Sequence, residues 1–189
     1  MARVGIIVDD AYEDAELRVP YDRLRADGHD VQIIGVEAGK TVHGKRGDSI
    51  TTQVGIADIS SHELDALVIP GGYSPDRLRT NVRMVGLTRD MFDSGKPVAA
   101  ICHAGWMLVE ADIVDNRTVT SWPSIKTDLI NAGARWIDRD VVEDANLITS
   151  RHPGDLGAFC AAIERQLSGG APARMPPPLV PEATTHVPR

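Results

Sequence analysis

The chain has 189 residues, 42% hydrophobic and 25% charged, with two cysteines and a net charge of −7. That length suits one domain with a sizeable core, and the composition excludes a disordered chain, a fibrous repeat and a disulfide-stapled miniprotein. No apolar run reaches the ~18 residues of a membrane span, and the acidic balance argues against a nucleic-acid face. The opening apolar stretch Val4–Val8 meets Asp9-Asp10 at once, which is too short for a secretion signal. Cys102 and Cys160 suit a reducing compartment. A cytoplasmic protein with no membrane or nucleic-acid partner is expected.

In chain order, Arg3–Val8 predicts a buried strand that ends in acid. A helix follows, with Leu17, Tyr21 and Leu24 on one face, Gly28 as its stop and Pro20 as an expected kink. Val31–Val36 is a second strand. Between Thr41 and Val54 a hairpin turns around Gly44–Gly47, the one antiparallel piece expected. Ala66–Ile69 is a strand closed by Pro70-Gly71-Gly72. Met84, Leu87, Thr88 and Met91 form a helix face ending near Gly95. Val98–Ile101 then runs without a turn signal into an expected helix starting at Cys102. Pro123–Ala132 is a helix opened by proline and closed by Gly133. Trp136-Ile137, Val141-Val142 and Leu147–Thr149 are short strands. The last helix carries Leu156, Phe159, Cys160, Ile163 and Leu167 on one stripe.

Strands alternating with helices argue for a mostly parallel sheet covered on both faces. The domain is expected to span residues 1–168. A proline-rich extension, 169–189, holds six of the twelve prolines and is expected to be disordered or docked on a partner subunit. In such α/β folds ligands sit outside the carboxyl ends of the strands. The places to inspect are Asp9–Glu13, Pro70–Asp76, Cys102–Gly105 and Ser150–Asp155.

Cys102 is the leading chemical candidate, because it stands where a buried strand turns straight into a helix between Ala100 and Ala104. Small neighbours allow the close backbone approach of a nucleophile elbow. A helix N-terminus behind the sulfur would lower its pKa. Cys160, on a helix core stripe, reads as structural. His103 is the adjacent candidate base, and His152 is a rival on the same sheet edge that also suits helix capping. Glu13 stands among four carboxylates in six positions, a pattern that suits a solvated loop before a helix, although one carboxyl there could tilt toward Cys102 and carry a raised pKa. Gly71, Gly72 and the N–H groups after Cys102 are candidate oxyanion donors. No metal-binding spacing, phosphate loop or Gly-x-Gly-x-x-Gly run occurs, so no metal or cofactor is expected.

Several segments together resemble the PfpI family of intracellular cysteine peptidases, within the DJ/PfpI superfamily. They are Tyr12-Glu13-Asp14-Ala15-Glu16-Leu17, Leu67-Val68-Ile69-Pro70-Gly71-Gly72, Pro97-Val98-Ala99-Ala100-Ile101-Cys102-His103 and Thr120-Ser121-Trp122-Pro123. The match continues through 131–136 and 149–156 and covers about residues 3–168. The resemblance implies a flavodoxin-like three-layer sandwich that assembles into homodimers or larger rings. It makes Cys102 the nucleophile, Glu13 the buried carboxyl and His103 its partner. It also implies an acid from a neighbouring subunit at the position of Asp76, where the family usually carries Glu. A second departure is His103-Ala104-Gly105 in place of His-Gly-Pro, whose extra methyl is expected to narrow the oxyanion side.

The shared chemical step is addition of Cys102 to an electrophilic carbonyl. The expected activity is a cysteine-dependent hydrolase or lyase, glyoxalase- or deglycase-like or an intracellular peptidase, acting in stress response on a small carbonyl compound or a peptide. The alternative is a redox-responsive binding or chaperone protein whose Cys102 is oxidised without turnover. A glutaminase-type arrangement of Cys102, His152 and Asp155 fits less well, since Asp155 lies three positions after His152.

Overall fold

A computed structural model describes residues 1–171. Most of the expected 169–189 extension lies outside the described residues. The chain opens with strand β1 (Arg3–Ile7), helix α1 (Asp14–Ala26) and strand β2 (Asp30–Gly35). The hairpin β3 (Thr41–His43) and β4 (Ser49–Thr51) follows, then β5 (Val54–Gly55) and β6 (Ala66–Ile69). Helices α2 (Ser74–Leu78) and α3 (Val82–Asp93) lead to β7 (Val98–Ile101) and the short helix α4 (Gly105–Glu110). Strand β8 (Thr118–Val119), helix α5 (Lys126–Asn131) and strand β9 (Arg135–Trp136) come next. The described part ends with β10 (Val141–Asp144), β11 (Leu147–Ser150) and α6 (Leu156–Leu167).

Seven strands form one sheet in the order β10-β11-β7-β6-β1-β2-β5. Every pairing in it is parallel except β10 with β11. Side chains alternate across this sheet, as the period of two requires. Ile7, Ile34, Leu67, Ile69, Val98, Ala100 and Leu147 pack under α3, α4 and α5 through Met84, Met91, Leu108 and Leu129. Ile6, Ile33, Val68, Ala99, Ile101 and Ile148 face the other way, toward Leu17 and Leu24 of α1 and Phe159 and Ile163 of α6. The result is the three-layer α/β sandwich that the alternating pattern predicts. The carboxyl ends of β1, β6, β7 and β11 therefore share one edge.

The local departures have physical causes. A second antiparallel hairpin joins β10 to β11 through Ala145, whose φ is 54°. No glycine marks that turn, so the sequence does not announce it. Cys102 does not begin an α-helix: residues Cys102–Ala104 form a 3-10 turn, and α4 starts at Gly105. Pro20 lies buried within α1 without ending it. Lacking an N–H, it leaves the carbonyl of Glu16, one turn earlier, without its helical donor.

Two loops are stitched together on the shared edge. The N–H of Glu13 donates to the Gly71 carbonyl, and that of Tyr73 to the Ala11 carbonyl at 2.8 Å. Gly72 has a φ of 76°, and a Cβ there would strike the Ala11 carbonyl oxygen and come within 2.6 Å of the Glu13 nitrogen. Gly72→Ala should therefore destabilise the fold by at least the ~1–2 kcal/mol of a left-handed alanine, read as a lower urea midpoint. An unchanged midpoint would mean that the loops are not locked together.

Candidate active site

The backbone of Cys102 sits at a φ of 64°, the left-handed region that non-glycine residues occupy at a cost. This turn lifts the side chain off the end of β7 and aims it across the sheet edge toward the Gly71–Gly72 turn. A Cβ on Gly71 would lie 2.7 Å from the Cβ of Cys102 and 2.6 Å from Oε2 of Glu16. Only glycine leaves room there for the sulfur and a carboxylate together. Cys102 is 8% exposed, so the sulfur is buried at the lip rather than open to bulk water.

The carboxyl beside the sulfur belongs to Glu16, and the contact expected of Glu13 is corrected accordingly. Glu16 is fully buried, with Oε2 accepting the Gly71 N–H at 2.8 Å and Oε1 making no hydrogen bond among the described residues. Glu13 is also buried, but its oxygens pair with Lys45 Nζ at 3.3 Å and Arg46 Nε at 3.1 Å. Helical geometry explains the exchange. Glu13 precedes the first turn of α1, where its side chain swings out to the β3–β4 hairpin. Glu16 lies four positions before Pro20 and eight before Leu24, on the buried stripe. The sequence shows the stripe, but only the start of α1 at Asp14 decides which acid falls on it.

Burial raises the Glu16 carboxyl from 4.5 to about 8, helped by the charge of Glu13 and opposed by the Gly71 N–H. Burial, and then an ionised Glu16, push the Cys102 thiol up to about 12, while the backbone N–H groups of His103 and Gly72 pull it down. The low thiol pKa expected from a helix terminus is not realised. The six-residue α4 begins three positions later, so its dipole reaches the sulfur weakly, and desolvation dominates. Two anions cannot share this space. Near neutrality the pair holds a proton on Glu16, and thiolate forms only as another group takes the thiol proton.

The imidazole of His103 stands beside the thiol. Its Nδ1 lies 3.2 Å from Sγ and its Nε2 3.2 Å from the Ser124 hydroxyl. Burial, followed by the charge of Lys45, lowers the imidazole pKa and keeps the ring neutral. Tyr73, Trp106 and Trp122 surround it at ring-centroid distances of 6.3, 5.1 and 6.3 Å. Ser124 and this aromatic wall were missed by sequence reasoning, because they come from separate loops with no shared motif. Asp76 does not meet His103 within the chain. It is half exposed and paired with Arg79 at 2.6 Å.

The oxyanion set also changes. The Gly71 N–H is spent on Glu16 and is not a free donor. The Gly72 and His103 N–H groups both act on the sulfur and remain beside it. Ala104 is fully buried in the core under α4, so its methyl packs inward instead of narrowing the site. His152 caps the following turn by accepting the Gly154 N–H at 3.1 Å, and Asp155 is held by Arg151 at 2.8 Å. Neither forms a dyad with Cys102. Among the described residues no cluster of three or more His, Cys, Asp or Glu side chains could hold a metal.

Fold and site together define a flavodoxin-like sandwich with a buried cysteine on a left-handed turn at the carboxyl edge of its sheet. The chain belongs to the DJ-1/PfpI family, whose model matches residues 2–166. It is 47% identical to a Pyrococcus furiosus protein named Deglycase PfpI, over 78% of this chain and 89% of that one. It is 45% identical to Protein/nucleic acid deglycase 2 of Escherichia coli, over 83% and 92% of the two chains. Among solved structures, Drosophila melanogaster DJ-1beta superposes with a TM-score of 0.83 at 30% identity, covering 89% of this chain and 91% of that one.

The raised Glu16 pKa has a sign that can be checked. Folding holds a proton that the unfolded carboxyl would release, so this group's contribution to stability declines as pH rises from about 4.5 to about 8. Glu16→Gln removes that decline. Its stability relative to wild type should grow by up to ~1.4 kcal/mol per pH unit across the window, measured by urea unfolding at several pH values. Parallel stability curves would show that Glu16 is ionised in the fold.

Proposed function

We propose that the protein is a cysteine-dependent enzyme of the DJ-1/PfpI type that acts through Cys102 on small electrophilic carbonyl compounds or their adducts, as a glyoxalase or deglycase. The observation that carries this reading is a buried, protonated Glu16 on one side of the sulfur and a neutral imidazole on the other, with His103 Nδ1 at 3.2 Å. The deglycase names of the two relatives support the same chemistry.

For a 2-oxoaldehyde every proton can be assigned. As the sulfur bonds to the aldehyde carbon, His103 takes the thiol proton and Glu16 donates its own to the carbonyl oxygen, giving a hemithioacetal. Glu16, now a carboxylate, removes the C–H proton of that carbon while His103 returns its proton to the neighbouring oxygen, forming an enediol. Glu16 then protonates the second carbon and His103 takes the hydroxyl proton of the first, leaving a thioester. Water attacks the thioester, giving its proton to Glu16. The departing sulfur recovers its proton from His103, and a 2-hydroxy acid leaves. All three side chains end as they began. A peptide substrate would also require protonation of a leaving amine, so the carbonyl route makes smaller demands on this site.

Two further expectations are carried as proposals. A homodimer or larger homo-oligomer is supported by the exposed apolar side chains Tyr73, Val82, Trp122 and Ile130. A cytoplasmic setting is supported by two free cysteines.

Turnover of methylglyoxal and of a glycated amine tests the reading. Cys102→Ser should lose about 10³-fold or more in kcat, as removal of a nucleophile does, while Cys160→Ser, altered only inside α6, should keep wild-type kcat. Wild-type kcat/KM should fall as pH passes about 8, where Glu16 loses its proton. Peroxide-dependent mass gain on Cys102 without any turnover would overturn the enzymatic reading in favour of a redox-responsive protein.

A further inference from the structure

The mechanism above requires His103 to accept a proton at Nδ1, and the inference here rests on that reading. A neutral imidazole carries one hydrogen, so Nδ1 is an acceptor only while that hydrogen sits on Nε2. The atom opposite Nε2 is the Ser124 hydroxyl oxygen, 3.2 Å away. The acid that the family resemblance assigns to this task is engaged elsewhere. Asp76 Oδ1 accepts from Arg79 Nε at 3.0 Å and from Arg79 Nη2 at 2.6 Å, and the guanidinium lies 5.0 Å from the Trp106 ring centroid.

We propose that Ser124 is a positioning residue: by accepting the Nε2 hydrogen of His103 it favours the tautomer able to take the thiol proton. The segment carrying Ser124 is anchored for this. The Trp122 N–H donates to the Cys102 carbonyl at 3.3 Å, tying the loop to the nucleophile itself. Ser121 receives the Trp136 indole N–H at 3.0 Å and donates to the Trp122 carbonyl. Pro123 then opens the 3-10 turn that presents Ser124. The other groups facing His103 do not supply this acceptor. The thiol of Cys102 is on the Nδ1 side, Lys45 brings a repelling positive charge, Tyr73, Trp106 and Trp122 present rings, and His152 lies beyond Trp122.

The test is the rate of Cys102 alkylation by iodoacetamide against pH, located by mass spectrometry, on the full chain. Ser124→Ala should slow alkylation at neutral pH by about five- to tenfold, the scale of one hydrogen bond, and move the profile to higher pH. Ser124→Thr, which keeps the hydroxyl, should restore both. Asp76→Asn should stay within about twofold of wild type, since its carboxylate is bound to Arg79. Where wild type turns over methylglyoxal, kcat should follow the same order with little change in KM. A wild-type profile in Ser124→Ala, a loss in Asp76→Asn instead, or no rescue by threonine would each overturn the inference. Absence of turnover in wild type would sink the functional reading alone, because the alkylation series still decides the role of Ser124.

Discussion

Two buried acids that both keep their protons near neutral pH govern this site. Glu16 and Cys102 lie in a space too poor in water to hold both as anions, and the N–H of Gly71 fixes the carboxyl without neutralising it. The consequence is a carboxylic acid that keeps its proton near neutral pH and a thiol that gives its proton up only to a partner. Reactivity is then a matter of where protons go during attack, and less of how much thiolate exists at rest. The neutral His103 ring stands beside that thiol, with its Nδ1 3.2 Å from the sulfur.

The scaffold is arranged to maintain that crowding. Parallel pairing brings the carboxyl ends of β1, β6 and β7 to one edge, so three consecutive loops meet over a short distance. Gly71 and Gly72 let the loops after β1 and β6 approach to backbone hydrogen-bonding distance. The left-handed turn at Cys102 turns the sulfur into the gap they leave. Pro20, by removing the donor to the Glu16 carbonyl, sits one turn from the same carboxylate. The strain of a non-glycine residue at positive φ is offset by the packing of β7 between β6 and β11, both of which pair with it along its length.

The aromatic surroundings of His103 serve the same electrostatics. Tyr73, Trp106 and Trp122 flank the ring without contributing charge, and Lys45 sits over the Tyr73 ring 5.6 Å from its centroid. Partial burial and that nearby cation both disfavour imidazolium. Glu13 has a supporting part: it binds Lys45 and Arg46 and so holds the β3–β4 hairpin against the start of α1.

Much of this was written in the order of the residues. The alternation of β-branched runs with helical stripes determined a parallel sheet covered on both faces, because burial on two sides demands continuous apolar strands. The run Val98–Ile101 into Cys102 placed a cysteine at a strand end, and the helix stripe of α6 marked Cys160 as core. What one dimension could not decide was which carboxylate among Asp9, Asp10, Glu13, Asp14 and Glu16 meets the sulfur. That depends on where α1 begins and which way each side chain leaves it, and a shift of three residues moves a group from the hairpin to the interior. Nor could it foresee the thiol's raised pKa or the Ser124 contact. Both arise from distances between segments far apart in the chain, and electrostatics follows those distances rather than sequence separation.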